Sequence, residues 1–192
     1  MSEDIVDVDL NLVERTVAGD ESAFEQLVKK YQHSVLNTIY RYIGNYSEAE
    51  DIAQDVFVKV WLNIKSFKGK AKFSTWLYRI VVNQCLDCHR KNKGKVQVVS
   101  LDNKLAEGKI PESLTVGIDF EQKKRESIVR QAINELPDKQ RIAMILAKYE
   151  AKSYQEIADI MNISLSNVAS IIYRAKENLK VKLLPLREKG EI

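Results

Sequence analysis

Apolar residues recur at spacings of three and four along most of the chain, so the sequence predicts helices nearly throughout. The first predicted helix is short, about 10–18, and stops at Gly19. The second opens at Asp20, a residue suited to cap a helix N-terminus, and sets Phe24, Leu27, Val28, Tyr31, Val35 and Ile39 on one face before ending near Gly44. The third opens with Ser47-Glu48-Ala49-Glu50, which reads as a capping box, and its apolar face is Ile52, Ala53, Val56, Phe57, Val60, Trp61 and Ile64. A basic loop over 65–72 leads to a fourth helix, predicted to be capped by Ser74 and to run to about Lys91. Short loops would make these helices antiparallel neighbours in a small bundle.

The pattern changes over 93–118, which carries glycine turns, a proline and no helical period. This reads as a flexible linker between an N-terminal domain, 1–92, and a C-terminal one, 119–192. The run Val96 to Val99 has strand character but no partner strand. Beyond it a helix is predicted over 120–135, broken at Leu136-Pro137, with Pro137 opening the next at a position where its missing N–H costs nothing. That helix carries Ile142, Ile145, Leu146 and Tyr149 on one face. The fold class expected is therefore all-α: two small helical domains and a linker.

Two further helices end the chain. One opens with Ser153-Tyr154-Gln155-Glu156, a second capping box, and the turn after it is Met161-Asn162-Ile163. Asn162 is one of the few non-glycine types that accepts the left-handed conformation. The last helix, capped by Ser164, buries Val168, Ile172, Ala175 and Leu179. A short helix, a tight turn, a longer helix and a small residue, Ala158, at the crossing fit a helix-turn-helix. An ordinary αα-hairpin would share much of this pattern. As a DNA reader, the second helix would offer Ser166, Asn167, Ser170 and Ile171 to base edges, and Tyr173, Arg174 and Lys176 nearer the phosphates.

The third and fourth helices carry a second layer of information. Asp51, Gln54, Asp55, Val58, Lys59 and Leu62 recur at three and four on a mixed face of the third helix, a partner surface or an ordinary solvent face. On the fourth, Trp76, Arg79, Asn83, Asp87 and Arg90 form one stripe, next to Lys70, Lys72, Phe73, Ser74 and Thr75 of the basic loop. Cations for phosphates and rings for stacking are what unpaired bases need; Trp76 alone reads more readily as core, and its neighbours Phe73, Ser74 and Thr75 in a lysine-rich loop shift the balance. Cys85-Leu86-Asp87-Cys88-His89 has the spacing of a haem-attachment pattern, but it falls mid-helix and lacks a second ligand, and a zinc site lacks ligands. Cys88 is expected in the core and Cys85 half-buried.

Composition narrows the class. The chain has 192 residues, 30% of them charged, with 3 prolines and 7 glycines, which excludes collagen-like or wholly disordered chains. No apolar run is long enough to span a membrane, the acidic start lacks a signal-peptide core, and two cysteines make no disulfide framework, so a cytoplasmic protein is expected. The net charge of +3 conceals an asymmetry: residues 1–25 hold eight acidic side chains and one basic, whereas 59–95 hold ten basic and one acidic. This local excess suggests a polyanion partner for the second segment; a solvated lysine-rich face would give the same pattern. No phosphate-cradling loop, catalytic carboxylate pair or nucleophile–base arrangement is present, so neither an enzyme nor a bound cofactor is expected.

Taken in order, these motifs resemble the RNA polymerase sigma factors of the extracytoplasmic-function group. The resemblance rests on Gly19-Asp20-Glu21-Ser22-Ala23-Phe24, on Ala49-Glu50-Asp51-Ile52-Ala53-Gln54-Asp55-Val56-Phe57 with Trp61, and on Phe73-Ser74-Thr75-Trp76-Leu77 with Asn83, Asp87 and Arg90-Lys91, all similar to the family's region 2. Leu136-Pro137, Ser153-Tyr154-Gln155-Glu156-Ile157-Ala158 and Arg174-Ala175-Lys176 resemble region 4.

The resemblance implies a non-catalytic subunit that binds core RNA polymerase and directs it to promoters. It implies that Asp51, Gln54, Asp55, Val58, Lys59 and Leu62 meet the polymerase. Lys70, Lys72, Phe73, Ser74, Thr75 and Trp76, with Arg79, Asn83, Asp87 and Arg90, would engage the −10 element as single strands open, and the helix from Ser164 would read the −35 element as duplex. It also implies control by a separate anti-sigma protein. Where the family commonly carries Lys and Arg in the recognition helix, this chain has Ala169 and Ile171. The alternative from another class is a transcriptional activator using the helix-turn-helix alone.

Overall fold

A computed structural model describes residues 9–93 and 120–190. Among these lie eight α-helices: α1 Leu10–Val17, α2 Glu21–Ile43, α3 Tyr46–Asn63, α4 Phe73–Lys93, α5 Phe120–Asn134, α6 Asp138–Lys148, α7 Tyr154–Met161 and α8 Leu165–Glu188. A 3₁₀ turn, Ile64–Ser66, closes α3. No described residue is in a strand, and the expected strand near Val96 and most of the expected linker lie outside the described residues. No helix among the described residues is long and apolar enough to cross a membrane.

Side-chain caps set several helix starts. Asp20 Oδ1 accepts from the Ala23 N–H at 3.2 Å and starts α2, as its position in the sequence predicts. Gly44, at φ 85°, ends that helix in the left-handed conformation. For α3 the cap is Asn45, whose Oδ1 accepts from the Glu48 N–H at 3.0 Å; Ser47, the expected cap, lies one residue inside the helix. The chain enters α3 directly from the Gly44 turn, which leaves no extended residue at Ser47 to serve. Ser74 is likewise internal to α4, and Pro137 takes the N-cap position of α6 rather than the first helical one. Ser153 and Glu156 form the predicted capping box on α7.

The core is one continuous cluster. Leu27, Val35 and Ile39 of α2, Val56 and Val60 of α3, and Phe73, Leu77 and Val81 of α4 are buried with Ile142, Ile145 and Leu146 of α6, Ile157 and Ile160 of α7, and Val168 and Ile172 of α8. The two cysteines are placed opposite to expectation. Cys85 continues the buried line Leu77, Val81 at intervals of four and is 0% exposed. Cys88, three residues on, turns to the start of α3 and donates through Sγ to Glu48 Oε1. Tyr149 also departs from the predicted core face: it caps the end of α6, half in solvent, with the Arg41 guanidinium 3.9 Å from its ring centre.

The C-terminal helices pack on the N-terminal ones through α4–α7 and α2–α6 contacts. Arg141 of α6 joins the two halves by donating to the main-chain oxygen of Tyr42 at 3.1 Å. On α5, Arg130 donates to the Tyr40 hydroxyl at 3.2 Å.

Candidate functional site

The exposed side of α3 gathers the residues singled out in sequence. Asp51, Gln54, Asp55, Val58, Lys59 and Leu62 are all exposed, and Val58 and Leu62 keep 56% and 71% of their surface in solvent. Lys59 is drawn sideways, its Nζ donating to Gln84 Oε1 at 2.6 Å. Beside this face runs an apolar groove of about 610 Å³, lined by Phe24, Val28 and Leu36 of α2 and by Phe57, Val58, Trp61 and Leu62 of α3. Trp61 was expected in the core, yet it is 39% exposed and leans on Phe24. The reason is geometric: Ala49, Ala53, Val56 and Val60 already fill the contact of α3 with its neighbours. An apolar stripe wider than one contact leaves its edge over. The signal for this groove lay in α2, whose Phe24, Val28 and Leu36 fall at multiples of four alongside the buried Leu27 and Val35.

The loop and α4 divide the second set of candidates. Lys65, Lys68, Lys70 and Lys72 are exposed. Phe73 and Thr75 are buried, at 1% and 5%, so neither is free to meet a base. Phe73 instead anchors an aromatic cluster with Tyr31, Phe67 and Trp76, ring centroids 5.7–5.9 Å apart. Ser74 is half-buried. Trp76 is half-buried and borders a cleft of about 310 Å³ lined also by Lys59, Asn63, Ser66, Ile80, Asn83, Gln84 and Asp87. The cleft brings together Trp76, Asn83 and Asp87 as the stripe predicted. Asn63, Ser66 and Gln84 were missed in sequence; polar residues at 59, 63 and 66 sharing one edge of the α3 end were the available signal. Arg90 pairs with Asp87. Arg79 leaves the stripe and donates to the main-chain oxygen of Asp159 at 2.7 Å.

The third set lies on α7 and α8. Asn162 adopts φ 53°, ψ 51°, which turns the chain sharply between the two helices. Ser164 Oγ accepts from the Asn167 N–H at 3.3 Å and lies 3.0 Å from Ser166 Oγ. Ser166, Asn167, Ser170, Tyr173, Arg174 and Lys176 are exposed, Tyr173 at 66%. Ile171 is half-buried against the core, so only part of its side chain is left for a thymine methyl. The arrangement presents short polar side chains at a helix N-terminus and cations one to two turns on, as groove entry requires.

Ionisation at these faces is simple. Burial disfavours the charged form of Glu156, but the N–H and hydroxyl of Ser153 outweigh it and hold the carboxyl below its usual range. Burial drives the Cys85 thiol far up, which keeps it protonated and unreactive. Among the described residues no His, Cys, Asp and Glu side chains gather in a metal-binding group.

Comparison with known proteins follows the same division. Residues 27–95 match the family model "Sigma-70 region 2", and residues 126–179 match "Sigma-70, region 4". RNA polymerase sigma-H factor of Pseudomonas aeruginosa is 36% identical over 189 residues, covering 93% of this chain and 95% of that protein. ECF RNA polymerase sigma factor SigW of Bacillus subtilis is 34% identical, covering 91% and 96%. ECF RNA polymerase sigma-E factor of Escherichia coli is 35% identical, covering 97% and 98%. Among solved structures, CnrH in complex with the cytosolic domain of CnrY superposes with a TM-score of 0.67 at 23% identity, covering 91% of this chain and 96% of that one, which supports the fold.

Proposed function

The chain belongs to the RNA polymerase sigma factors of the extracytoplasmic-function group, and on that premise we propose a division of labour among its three faces. As a sigma factor it directs core polymerase to promoters. The exposed face of α3, through Asp51, Gln54, Asp55, Val58, Lys59 and Leu62, and the groove beside it bind core polymerase. The basic loop with Trp76, Asn83, Asp87 and Arg90 holds the opened −10 strand. The N-terminal half of α8 reads the −35 element through Ser166, Asn167 and Ser170, with Arg174 and Lys176 on phosphates. Residues 1–92 and 119–192 act as the two binding domains and 93–118 as the connector. The chain contributes no catalytic group and works with the cytoplasmic polymerase, and a separate anti-sigma protein controls it.

One observation carries this reading. Val58, Trp61 and Leu62 stand exposed beside an open apolar groove, on a helix whose other face is packed. Apolar area of that kind marks a protein partner. An activator that worked through the helix-turn-helix alone would not need it. The test is run-off transcription with purified core polymerase on a promoter mapped after overproduction of the chain. Initiation that depends on the chain supports the assignment. DNA binding without initiation would favour the activator instead.

A further inference from the structure

Two tyrosines of the bundle give their phenol protons to carboxylates brought from elsewhere in the chain. Tyr78 of α4 donates at 2.5 Å to Oε2 of Glu150, in the turn between α6 and α7, and Oε1 of Glu150 lies 2.8 Å from Oγ1 of Thr38 on α2. That contact joins the C-terminal half to α4 and α2. The second pair lies wholly within the N-terminal half and takes no part in that join. Tyr31 of α2 donates to Oδ2 of Asp9, and Lys30 donates to Oδ1 at 2.5 Å. Asp9 is 4% exposed. It stands at the N-cap position of α1, where an aspartate ordinarily accepts from its own helix, yet its side chain makes no such bond. The carboxylate is turned from α1 toward α2 instead. An ion pair held out of water adds little stability that apolar residues of the same size would not supply. What this one adds is direction.

The direction is that of the Tyr31 ring. Its phenol is held by Asp9, and the Lys30 ammonium lies 5.4 Å from its centre. The ring so fixed meets Phe73 edge-on, with centroids 5.7 Å apart and planes at 60°. Phe73 lies 5.9 Å from Trp76, and Phe67 lies 5.7 Å from the same indole. Rings in contact favour particular tilts, so each one limits the next. Trp76 ends the series at the cleft that also holds Asn83 and Asp87. The same short helix backs the opposite wall of that cleft. It packs on the 3₁₀ turn that contributes Ser66, and a Cβ at Gly69 of the basic loop would lie 4.0 Å from Leu10 Cδ1. None of the four rings lines the α2–α3 groove.

We propose that Asp9 is a positioning residue for the −10 strand: through Tyr31 and Phe73 it fixes the tilt at which Trp76 meets the opened bases, and α1 supports the basic loop beside it. The inference rests on the assignment of that edge to DNA. Asp9 itself touches no nucleotide. Removing it takes no group from the site but loosens the shell that holds the site in shape. Binding of core polymerase, which uses the other side of α3, does not depend on it.

The experiment uses the full chain and compares Asp9→Asn, Tyr31→Phe, the double variant and Trp76→Ala, all well below the unfolding transition recorded by circular dichroism. Tyr31→Phe keeps its ring and so guards against simple unfolding. The probe is a fluorescent single strand spanning the −10 segment of the promoter mapped by run-off. Trp76 emission is read in a Trp61→Phe background, where it is the one tryptophan left of two. Asp9→Asn and Tyr31→Phe are each expected to weaken strand binding about three- to tenfold. The double variant should lose no more than the stronger single one, because both substitutions break the same link. Trp76 emission should move to longer wavelength in all three, and affinity for core polymerase, measured with Trp61 in place, should stay unchanged. Strand binding like wild type in both single variants, additive losses in the double, or a loss with Trp76 emission unmoved would each overturn the positioning role. A parallel loss of polymerase affinity would overturn it too, by making Asp9 a general support of the bundle. If Trp76→Ala weakens the strand and Asp9→Asn does not, the assignment of the edge survives and the role of Asp9 fails. If Trp76→Ala binds the strand normally, both fail together.

Discussion

Phe24 and Trp61 meet across the α2–α3 groove with ring centroids 4.8 Å apart and planes inclined by 57°. The pair forms a wall of the groove that neither helix forms alone. Trp61 is exposed enough to be removed without opening the core, and Leu62 and Val58 more so. Trp61→Ala and Leu62→Asp are therefore expected to weaken association with core polymerase by ~2 kcal/mol or more, as anchor residues of an interface do. Thermal unfolding followed by circular dichroism should move little for Leu62→Asp. Undiminished affinity in a fluorescence titration with core polymerase would remove α3 from the interface.

Phe73 and Trp76 adjoin one another but should fail differently. Phe73 is buried in the aromatic cluster. Phe73→Ala should cost about 3–5 kcal/mol of stability, read as a lowered denaturation midpoint. Trp76 borders the polar cleft beside Asn83 and Asp87. Trp76→Ala should depress open-complex formation, measured by permanganate reactivity of the promoter, by the ~1–3 kcal/mol that stacking on a base contributes. Normal opening by the folded variant would leave Trp76 a packing residue only.

At the turn of the helix-turn-helix, Asn162→Gly should be nearly neutral, because glycine adopts φ 53° freely. Asn162→Val should lose about 1–2 kcal/mol in a urea titration, since a β-branched residue resists the left-handed conformation. Equal midpoints for the two variants would show that the turn had relaxed to another conformation.

On the recognition helix, Asn167 and Arg174 should separate reading from anchoring. Asn167→Ala should relax preference at one or two −35 positions, costing ~1–3 kcal/mol of discrimination there. Arg174→Ala should weaken binding to every sequence and lower the salt slope by about one phosphate contact. A binding series over single-base variants at two salt concentrations distinguishes them. A uniform loss for Asn167→Ala would make that residue a positioning contact.

Asp20 supplies a pH dependence. The Ser22 hydroxyl, then Arg15, then the Ala23 N–H favour its charged form and lower its pKa from 3.8 to about 2. A depressed folded-state pKa means a contribution present above pH 4 and lost as the pH falls from there through 2. The stability difference between wild type and Asp20→Asn should hold constant from neutral pH to about 4 and shrink below it. Guanidinium titrations at pH 7, 4, 3 and 2 measure this; a difference that persists at pH 2 would point away from the charge.

Periodicity found the helices because buried faces repeat every three to four residues, and Asp20, Ser153, Asn162 and Ser164 were legible because their caps and turns are local. Ser47 and Ser74 were misread as caps because the chain direction entering a helix depends on the preceding turn, which pattern alone does not fix. Trp61, Phe73 and the cysteines were misplaced for a different reason. A helical wheel tells which residues share a face, but which part of that face meets a neighbour depends on helix rotation in the bundle. The Glu150 contacts were invisible, since they join a loop to residues 72 and 112 positions earlier.

That separation also has a consequence in time. Ribosomes add about 5–20 residues per second. Tyr78 is therefore synthesised roughly 4–14 s before Glu150, given the 72 residues between them. The core of α2, α3 and α4 forms from residues already emerged, and helices and their packing form in far less than a second. Each newly made molecule thus begins its life with the basic edge of α4 uncovered and the groove beside Trp61 complete. A partner acting on the nascent chain meets α4 before the chain has made the residue that joins its C-terminal half to Tyr78 and Thr38.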